Sequence, residues 1–301
     1  MSKTSKKHHG STSHKPRKAT AADWISGARI RTLPLAFAPV AIGSGAAAIT
    51  DQFKAQVALL CLVVALALQI GVNYSNDYSD GIRGTDNYRV GPARLTGSGA
   101  ADPKKVLAVA LTFFALSAVA GIIIVVLTAA WWMLAVGAVA IVAAWFYTGG
   151  RRPYGYAGLG EVMVFIFFGL VATVGTTFVQ TGAFSQESLF GGIGIGLISC
   201  AVLVVNNIRD IETDKLAGKK TLAVRMGRTP SAVLFCFLMI LPFGIVIYFG
   251  LFYSAAFLTL FALLAALPAC LITLTAKTPQ EYILALKLSS LTGLLYGLGL
   301  A

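Results

Sequence analysis

Long apolar stretches separated by short polar segments run along most of this chain. A helix needs about 20 mainly apolar residues to cross a lipid bilayer, and nine segments come close to that length. They are residues 28–49, 55–75, 106–127, 130–148, 159–180, 189–207, 231–250, 254–274 and 282–300. The pattern predicts an all-α integral membrane protein with about nine transmembrane helices.

Three of these segments also carry information on shape. The first contains Pro34 and Pro39, and it is predicted to bend or break near its start because proline removes a helical hydrogen bond. The third and fourth segments are so close together that they must form a tight hairpin. Residues 1–21 are rich in Lys, Ser, Thr and His and are predicted to be a disordered basic arm. The membrane domain is predicted to cover residues 22–301.

The composition agrees with a lipid environment. The 301 residues are 57% hydrophobic and 12% charged, whereas soluble proteins carry about 25% charged residues. The net charge of +12 raises the question of nucleic acid. However, six of the 24 Lys and Arg lie in the first 18 residues, and most others lie in short loops between apolar segments. We therefore expect no nucleic-acid partner.

Positive charge alternates from one loop to the next. One side receives the basic arm and nearly all charged loops, and the other receives Lys54 and almost nothing else. The positive-inside rule makes the basic side cytoplasmic. Nine spans then predict a cytoplasmic N-terminus and a C-terminus outside. The cations on the basic side are Arg83, Arg89, Arg94, Lys104, Lys105, Arg151, Arg152, those from Arg209 to Arg228, and Lys277.

The cysteines and histidines give little indication of a catalytic or metal-binding site. The cysteines are scattered through apolar segments without a CxxC pair, which favours small buried side chains over a metal site or a disulfide. The histidines all lie in the basic arm, so none is expected in the membrane domain. These residues are Cys61, Cys200, Cys236 and Cys270, and His8, His9 and His14.

Acidic residues, in contrast, are concentrated. Half of the twelve Asp and Glu fall at the ends of the second and sixth predicted spans. Acidic groups close to hydrocarbon are costly and are functional candidates by default. The repetition also hints at a weak internal duplication. The six are Asp77, Asp80 and Asp86 in one cluster, and Asp210, Glu212 and Asp214 in the other.

The spacing within the clusters indicates what they bind. Asn76 and Asp80 are four residues apart, and so are the successive members of Asn206, Asp210 and Asp214. Residues four apart share one helical face, so each helix end is predicted to present a row of oxygen ligands. A divalent cation would remove the repulsion between such carboxylates. The alternative is that these acids only pair with neighbouring bases.

The ligand types favour magnesium. Oxygen ligands without His or Cys select Mg²⁺ or Ca²⁺ over zinc, and bound Mg²⁺ is often completed by substrate phosphates. Basic residues next to the clusters fit that use. They are Arg83, Arg209, Lys215, Lys219, Lys220 and Arg225.

These acidic segments resemble the UbiA superfamily of intramembrane prenyltransferases. Residues 76–80, NDYSD, are similar to its first Asp-rich motif, and residues 207–225 are similar to its second. Residues 28–40, 76–99, 147–169 and 206–227 look most like the branch that prenylates 1,4-dihydroxy-2-naphthoate in menaquinone synthesis. The resemblance covers about residues 24–300.

The resemblance implies a fold, a cofactor and a reaction. The fold would be nine helices around a central cavity, with cytoplasmic loops capping it. The reaction would join a polyprenyl diphosphate to 1,4-dihydroxy-2-naphthoate in a bacterial cell membrane, with Mg²⁺ as cofactor and the active site facing the cytoplasm. It would give demethylmenaquinol, carbon dioxide and diphosphate.

Roles for individual residues follow from the motifs and the resemblance together. The expected Mg²⁺ ligands are Asn76, Asp80, Asn206, Asp210 and Asp214. The expected diphosphate-binding residues are Arg83, Arg209, Lys219 and Lys220. The expected acceptor-binding residues are Arg29 and Arg94, with membrane anchoring as the alternative for Arg29. The expected catalytic residues are Asp77, Asp86 and Tyr147.

Several of these roles have alternatives. Asp77 is expected to orient or deprotonate the naphthol hydroxyl, or else to hold a neighbouring base. Asp86 is expected to contact the metal or to line the acceptor pocket. Glu161 is expected to pair with Arg151 or Arg152. Aromatic rings are expected either to stabilise a carbocation by cation–π contact or only to pack, and they are Phe146, Tyr147, Phe165, Phe167 and Phe168.

Two other functions compete with naphthoate prenylation. One is UbiA-type prenyl transfer to a different acceptor, such as 4-hydroxybenzoate, a lipid or a chlorophyll precursor. The other is cation transport through the acidic clusters. Transporter sites usually lie near the bilayer midplane on broken helices, whereas these acids lie at predicted helix ends beside basic loops.

Overall fold

The protein, as a computed structural model, is described over residues 17–88 and 94–301. Every regular element in these residues is a helix, as the apolar pattern predicts. Residues 1–16, which form most of the predicted basic arm and contain its histidines, lie outside the described residues, as does Arg89.

Seven helices in the described ranges are long and apolar enough to cross a membrane. The predicted all-α membrane architecture is therefore confirmed. The seven are Ala55–Ile82, Pro103–Thr128, Gly160–Thr181, Gln186–Arg209, Arg228–Gly250, Ser254–Thr275 and Pro279–Gly299.

The other two predicted spans have a different form, so a count of nine is not confirmed. The first is a pair of helical segments, Ala21–Thr32 and Pro34–Ala48, which meet at 46°. Pro34 opens the second segment, where its missing N–H is not needed. The predicted break at this proline is confirmed, and with the pair taken as one span the count is up to eight.

The fourth predicted span is short. Its helix, Met133–Phe146, has 14 residues and is about 21 Å long, less than the roughly 30 Å of a bilayer core. It ends early because the chain turns at Gly149 and Gly150, where Gly150 has a φ of +73°. The link from Pro103–Thr128 to this helix is only four residues long, and it forms the predicted tight hairpin.

One helix lies at the centre of the bundle. In Gln186–Arg209, 72% of the apolar window is buried, against 28–50% in the other six long helices. Gly169 of a neighbouring helix lies so close to it that an added Cβ would be 2.6 Å from the carbonyl oxygen of Gly192. Small residues allow this close approach between the two helices.

Three polar stretches, which we call the cap segments, lie together at one end of the bundle. They comprise residues 83–102 (without the undescribed 89–93), 147–159 and 210–227. Arg83 donates hydrogen bonds to the carbonyls of Thr148 and Gly150. The Lys220 N–H donates to the Tyr156 carbonyl at 2.8 Å. The cap segments therefore join the ends of the Asp80 and Asn206 helices.

Candidate functional site

A cavity of about 760 Å³ lies among the helices below the cap segments. Most of its wall is apolar. Its end towards the cap segments, which we call the polar end, carries amides, a carboxylate and arginines. This end is lined by Arg29, Asn73, Asn76, Asp77, Arg94, Asn206 and Arg209. Such a cavity suits a ligand with an anionic head and an apolar tail.

The Asp80 side chain contacts residues from two cap segments, 147–159 and 210–227. It lies in the last turns of the Ala55–Ile82 helix and is 3% exposed. Its Oδ1 accepts a hydrogen bond from the Tyr156 hydroxyl at 2.5 Å. Its Oδ2 lies 3.3 Å from Lys219 Nζ. The first acidic cluster is thus tied directly to the second.

Lys219 is shared between the two clusters. Besides Asp80, its Nζ lies 3.8 Å from Oδ1 of Asp214. The chain reverses at Gly218, which has a φ of +71°, and the Lys219 N–H then donates to the Asp214 carbonyl at 2.8 Å. One ammonium group therefore serves a carboxylate from each cluster.

The surroundings of Asp210 differ from those of Asp80. It is paired with its own neighbour, because Arg209 donates from Nε at 2.7 Å and from Nη2 at 2.5 Å. The Gln186–Arg209 helix also ends at this point, and Asp214 lies on the separate short helix Ile211–Leu216. The predicted row of Asn206, Asp210 and Asp214 on one continuous helix is wrong in this respect, because the helix is interrupted at Asp210.

Asn76 and Arg83 contact the second cap segment. Asn76 Oδ1 accepts a hydrogen bond from the Thr148 hydroxyl at 2.7 Å. Arg83 uses its guanidinium on the carbonyls of Thr148 and Gly150. Arg83 therefore fixes the turn beside Asn76 in this structure, in addition to supplying positive charge.

Comparison with known proteins identifies the family. The model of the UbiA prenyltransferase family matches residues 36–290. The chain belongs to the UbiA prenyltransferase family. It is accordingly a multi-pass membrane protein, and the family resemblance of the acidic segments is confirmed.

Several curated relatives of this UbiA-family chain carry the same name. A 1,4-dihydroxy-2-naphthoate octaprenyltransferase of Mycobacterium tuberculosis is 51% identical over 258 residues, which are 86% of this chain and 83% of that protein. An Escherichia coli protein of the same name is 37% identical over 210 residues, or 68% of each chain.

Solved UbiA structures share the fold. A UbiA homologue from Aeropyrum pernix superposes with a TM-score of 0.66 at 15% identity, covering 88% of this chain and 94% of its own. A homologue from Archaeoglobus fulgidus, solved bound to GPP and Mg²⁺, gives 0.64 at 14% identity and covers 92% and 98%. These similarities concern the fold alone.

The donor atoms of this UbiA chain fit a magnesium ion in their chemistry. No group of three or more His, Cys, Asp or Glu converges within the described residues. However, Asp80 and Asp214 already share one cation, the Lys219 ammonium. The remaining candidates contribute amide and carboxylate oxygens, which are the ligands that Mg²⁺ prefers.

Asp77 is engaged with the backbone of a cap segment. It is 1% exposed, and its two oxygens accept hydrogen bonds from the N–H groups of Leu95 and Thr96 at 2.9 and 2.8 Å. The next residue back, Arg94, lines the polar end, and its Nε lies 3.9 Å from Asp86 Oδ1. Asp77 and Asp86 thus surround the turn that carries Arg94.

The remaining predicted residues divide between the cavity and the cap. Tyr147 lines the cavity together with Phe167 and Phe168. Phe165 does not, because its ring lies against Gly196. Phe146 is 46% exposed and is likewise outside the lining.

Two further polar residues lie away from their expected partners. The Lys220 side chain is exposed, while its backbone N–H joins two cap segments. Glu161 accepts a hydrogen bond from Asn207 Nδ2 at 3.0 Å. It therefore braces the residue next to Asn206, whereas a pairing with Arg151 or Arg152 was expected.

Sequence reasoning missed Tyr156 and Thr148. Tyr156 contacts Asp80, and Thr148 contacts Asn76, although both lie more than 70 residues away along the chain. Both occur in the block 147–169 that resembles the family. That block was the available signal, but it does not indicate which side chains reach the acidic clusters.

Proposed function

We propose that this protein transfers a polyprenyl group from polyprenyl diphosphate to 1,4-dihydroxy-2-naphthoate, releasing carbon dioxide and diphosphate and giving demethylmenaquinol. The observation that carries the reaction type is the apolar cavity whose polar end is lined by Asn76, Asn206 and Arg209, next to the two acidic clusters that Lys219 joins. The name 1,4-dihydroxy-2-naphthoate octaprenyltransferase, carried by relatives up to 52% identical, supports the acceptor.

The diphosphate would bind at the polar end. Mg²⁺, when bound, supplies positive charge that stabilises the diphosphate as it leaves. Its ligands would be Asn76, Asp80, Asn206, Asp210 and Asp214. Further positive charge would come from Arg83, Arg209, Lys219 and Lys220, and charge-assisted hydrogen bonds of this kind are the stronger ones.

Bond changes in the reaction balance without an added oxidant or base. The allylic C–O bond to diphosphate breaks and leaves a carbocation, and the naphthoate ring carbon that bears the carboxylate attacks it to form a C–C bond. The bond to the carboxylate then breaks, and its electron pair restores the aromatic ring as carbon dioxide leaves. The rings of Tyr147, Phe167 and Phe168 would stabilise the cation by cation–π contact, and the apolar wall would exclude water.

The acceptor would bind beside the diphosphate. Arg29 and Arg94 both line the polar end, where an arginine can bind a carboxylate through two parallel hydrogen bonds. Asp77 is better suited to hold the Arg94 turn than to remove a proton, because backbone N–H groups contact both of its oxygens. Asp86 would orient Arg94 from the other side.

The orientation in the membrane follows from charge. The cap segments carry most cations of the described loops, and the positive-inside rule then places them, and the active site, in the cytoplasm. We propose a bacterial plasma membrane location with the basic arm inside and, if all nine segments span, the C-terminus outside.

A product assay tests the proposed function. The full chain in lipid nanodiscs, supplied with Mg²⁺ and farnesyl diphosphate, should convert 1,4-dihydroxy-2-naphthoate to a decarboxylated prenyl product detected by mass spectrometry. Prenylation of 4-hydroxybenzoate or a lipid acceptor instead would overturn the acceptor assignment. Magnesium uptake into proteoliposomes without any prenylated product would favour the transporter.

A further inference from the structure

The ring of Tyr156 lies between two cations from different cap segments. Lys219 Nζ is 4.7 Å from the ring centroid, and the Arg83 guanidinium carbon is 5.5 Å from it. Both distances are within the range of cation–π attraction. The ring thus contacts one base within the first acidic cluster, Arg83, and one that follows the second, Lys219.

The hydroxyl of Tyr156 has equally specific partners. It donates to Asp80 Oδ1 at 2.5 Å and lies 3.3 Å from the Thr85 hydroxyl. Thr85 in turn donates to the Asp80 carbonyl at 3.0 Å.

Backbone contacts fix the position of this tyrosine. Its carbonyl accepts the Lys220 N–H at 2.8 Å. The carbonyl of the next residue, Ala157, accepts from Arg225 Nη2 at 2.7 Å. The side chain is therefore anchored to the segment that supplies Lys219, while its hydroxyl reaches the other cluster.

We propose that Tyr156 is a positioning residue that couples the two acidic clusters, orienting the Asp80 carboxylate through its hydroxyl and holding Lys219 through its ring. Groups that orient a metal ligand affect metal affinity strongly. The inference rests on the proposed function, and it assigns Tyr156 to magnesium and diphosphate binding and not to the acceptor. The two parts of the side chain then have separable effects.

Two variants separate the hydroxyl from the ring. Tyr156→Phe removes the hydroxyl and its contacts with Asp80 and Thr85, and Tyr156→Leu also removes the ring face against Lys219 and Arg83. Tyr154→Phe is the matched control, because Tyr154 lies in the same helical turn and donates to the Ala143 carbonyl at 2.8 Å. Each purified full-length variant is titrated with magnesium chloride in a thermal-shift assay without substrates, and KM is then measured for both substrates.

The expected outcome is specific. Tyr156→Phe should raise the magnesium midpoint about tenfold and leave KM for the naphthoate unchanged. Tyr156→Leu should additionally raise KM for farnesyl diphosphate about fivefold, the size of a partly desolvated cation–π contact. Tyr154→Phe should leave the magnesium midpoint unchanged.

Other outcomes would overturn the inference. It fails if Tyr156→Phe leaves the magnesium midpoint within about twofold of wild type, if both KM values rise together, or if magnesium does not stabilise the wild type at all. A wild type that binds magnesium but makes no demethylmenaquinol refutes the proposed function alone, since the metal titration uses no substrate.

Discussion

Asp80 and Asp210 occupy equivalent positions in sequence, each four residues after an asparagine, yet their surroundings differ. Asp80 is held by Tyr156 and Lys219, which are 76 and 139 residues away. Asp210 is held by Arg209, the residue next to it. The first cluster is therefore fixed by the assembled fold, and the second is largely fixed by its own segment.

The comparison shows that a repeated motif does not imply a repeated site. Lys219 follows the second cluster in sequence but bonds the first as well. A change at Asp80 should therefore disturb both clusters, whereas a change at Asp210 should be felt mainly around Arg209.

The largest expected effect comes from the two aspartates themselves. Asp80→Asn and Asp210→Asn should each lower kcat by at least about a hundredfold, because several kcal/mol of charge stabilisation on the leaving diphosphate depend on them. Only Asp80→Asn should also lower the thermal midpoint clearly, since Lys219 and Tyr156 lose a shared partner. Asp51→Asn, in an exposed turn, is the control, and full activity in either variant with magnesium still required would contradict the assignment.

Replacing the bases that hold the two aspartates, Lys219 and Arg209, should show the same difference between the clusters with smaller effects. Lys219→Gln should lower kcat/KM for the prenyl diphosphate about thirtyfold or more, because loss of one partner of a buried charge pair costs about 2 kcal/mol or more. Arg209→Gln should cost about tenfold, since Arg209 serves one carboxylate of the clusters. Lys215→Gln, at a half-exposed lysine, is the matched control. A larger loss of kcat/KM in Arg209→Gln than in Lys219→Gln would contradict the proposed difference between the two clusters.

The turn at Arg94 provides a test of the other substrate. Arg94→Gln should raise KM for 1,4-dihydroxy-2-naphthoate about tenfold, the value of one charge-assisted hydrogen bond. Asp77→Asn should act in the same direction because it loosens the turn, and neither variant should shift the magnesium midpoint. Lys105→Gln, at an exposed lysine in the first turn of the Pro103–Thr128 helix, serves as control. A shift in the magnesium midpoint in Asp77→Asn would contradict this role and indicate that Asp77 is a metal ligand.

The smallest effect is expected at Glu212, the one acid of the second cluster that faces away. Its side chain is 70% exposed and pairs with Lys215 at 3.4 Å. Exposed pairs contribute little, so Glu212→Gln should change kcat/KM by less than about twofold. A loss comparable to that of Asp210→Asn would show that the second cluster extends further than the structure indicates.

Much of the fold could be predicted from local sequence. Each of the nine apolar segments contains an apolar helix in the described residues, and Pro34 marks the break. The length of the fourth span could not be predicted, because Trp131 and Trp132 of the link are as apolar as the helix Met133–Phe146 that follows them. It is the turn at Gly149 and Gly150 that ends it.

The candidate site was only partly predictable. Helical spacing correctly placed Asn76 and Asp80 together on one helix, and burial of both supports their selection. Spacing failed at Asp210, where the helix stops. Partners such as Tyr156 could not be found, because contacts between distant segments depend on how the cap segments pack and not on local pattern.

The coupling of carbon dioxide release to prenyl transfer is the most direct test of the proposed reaction. The protein in nanodiscs is given naphthoate labelled at its carboxylate, and labelled carbon dioxide and prenylated product are counted together. We expect one carbon dioxide to be released for each prenylated product. This release should require both prenyl diphosphate and Mg²⁺, and it should be lost in Asp80→Asn. Carbon dioxide release without prenyl diphosphate, or undiminished coupled release in Asp80→Asn, would contradict the proposed reaction.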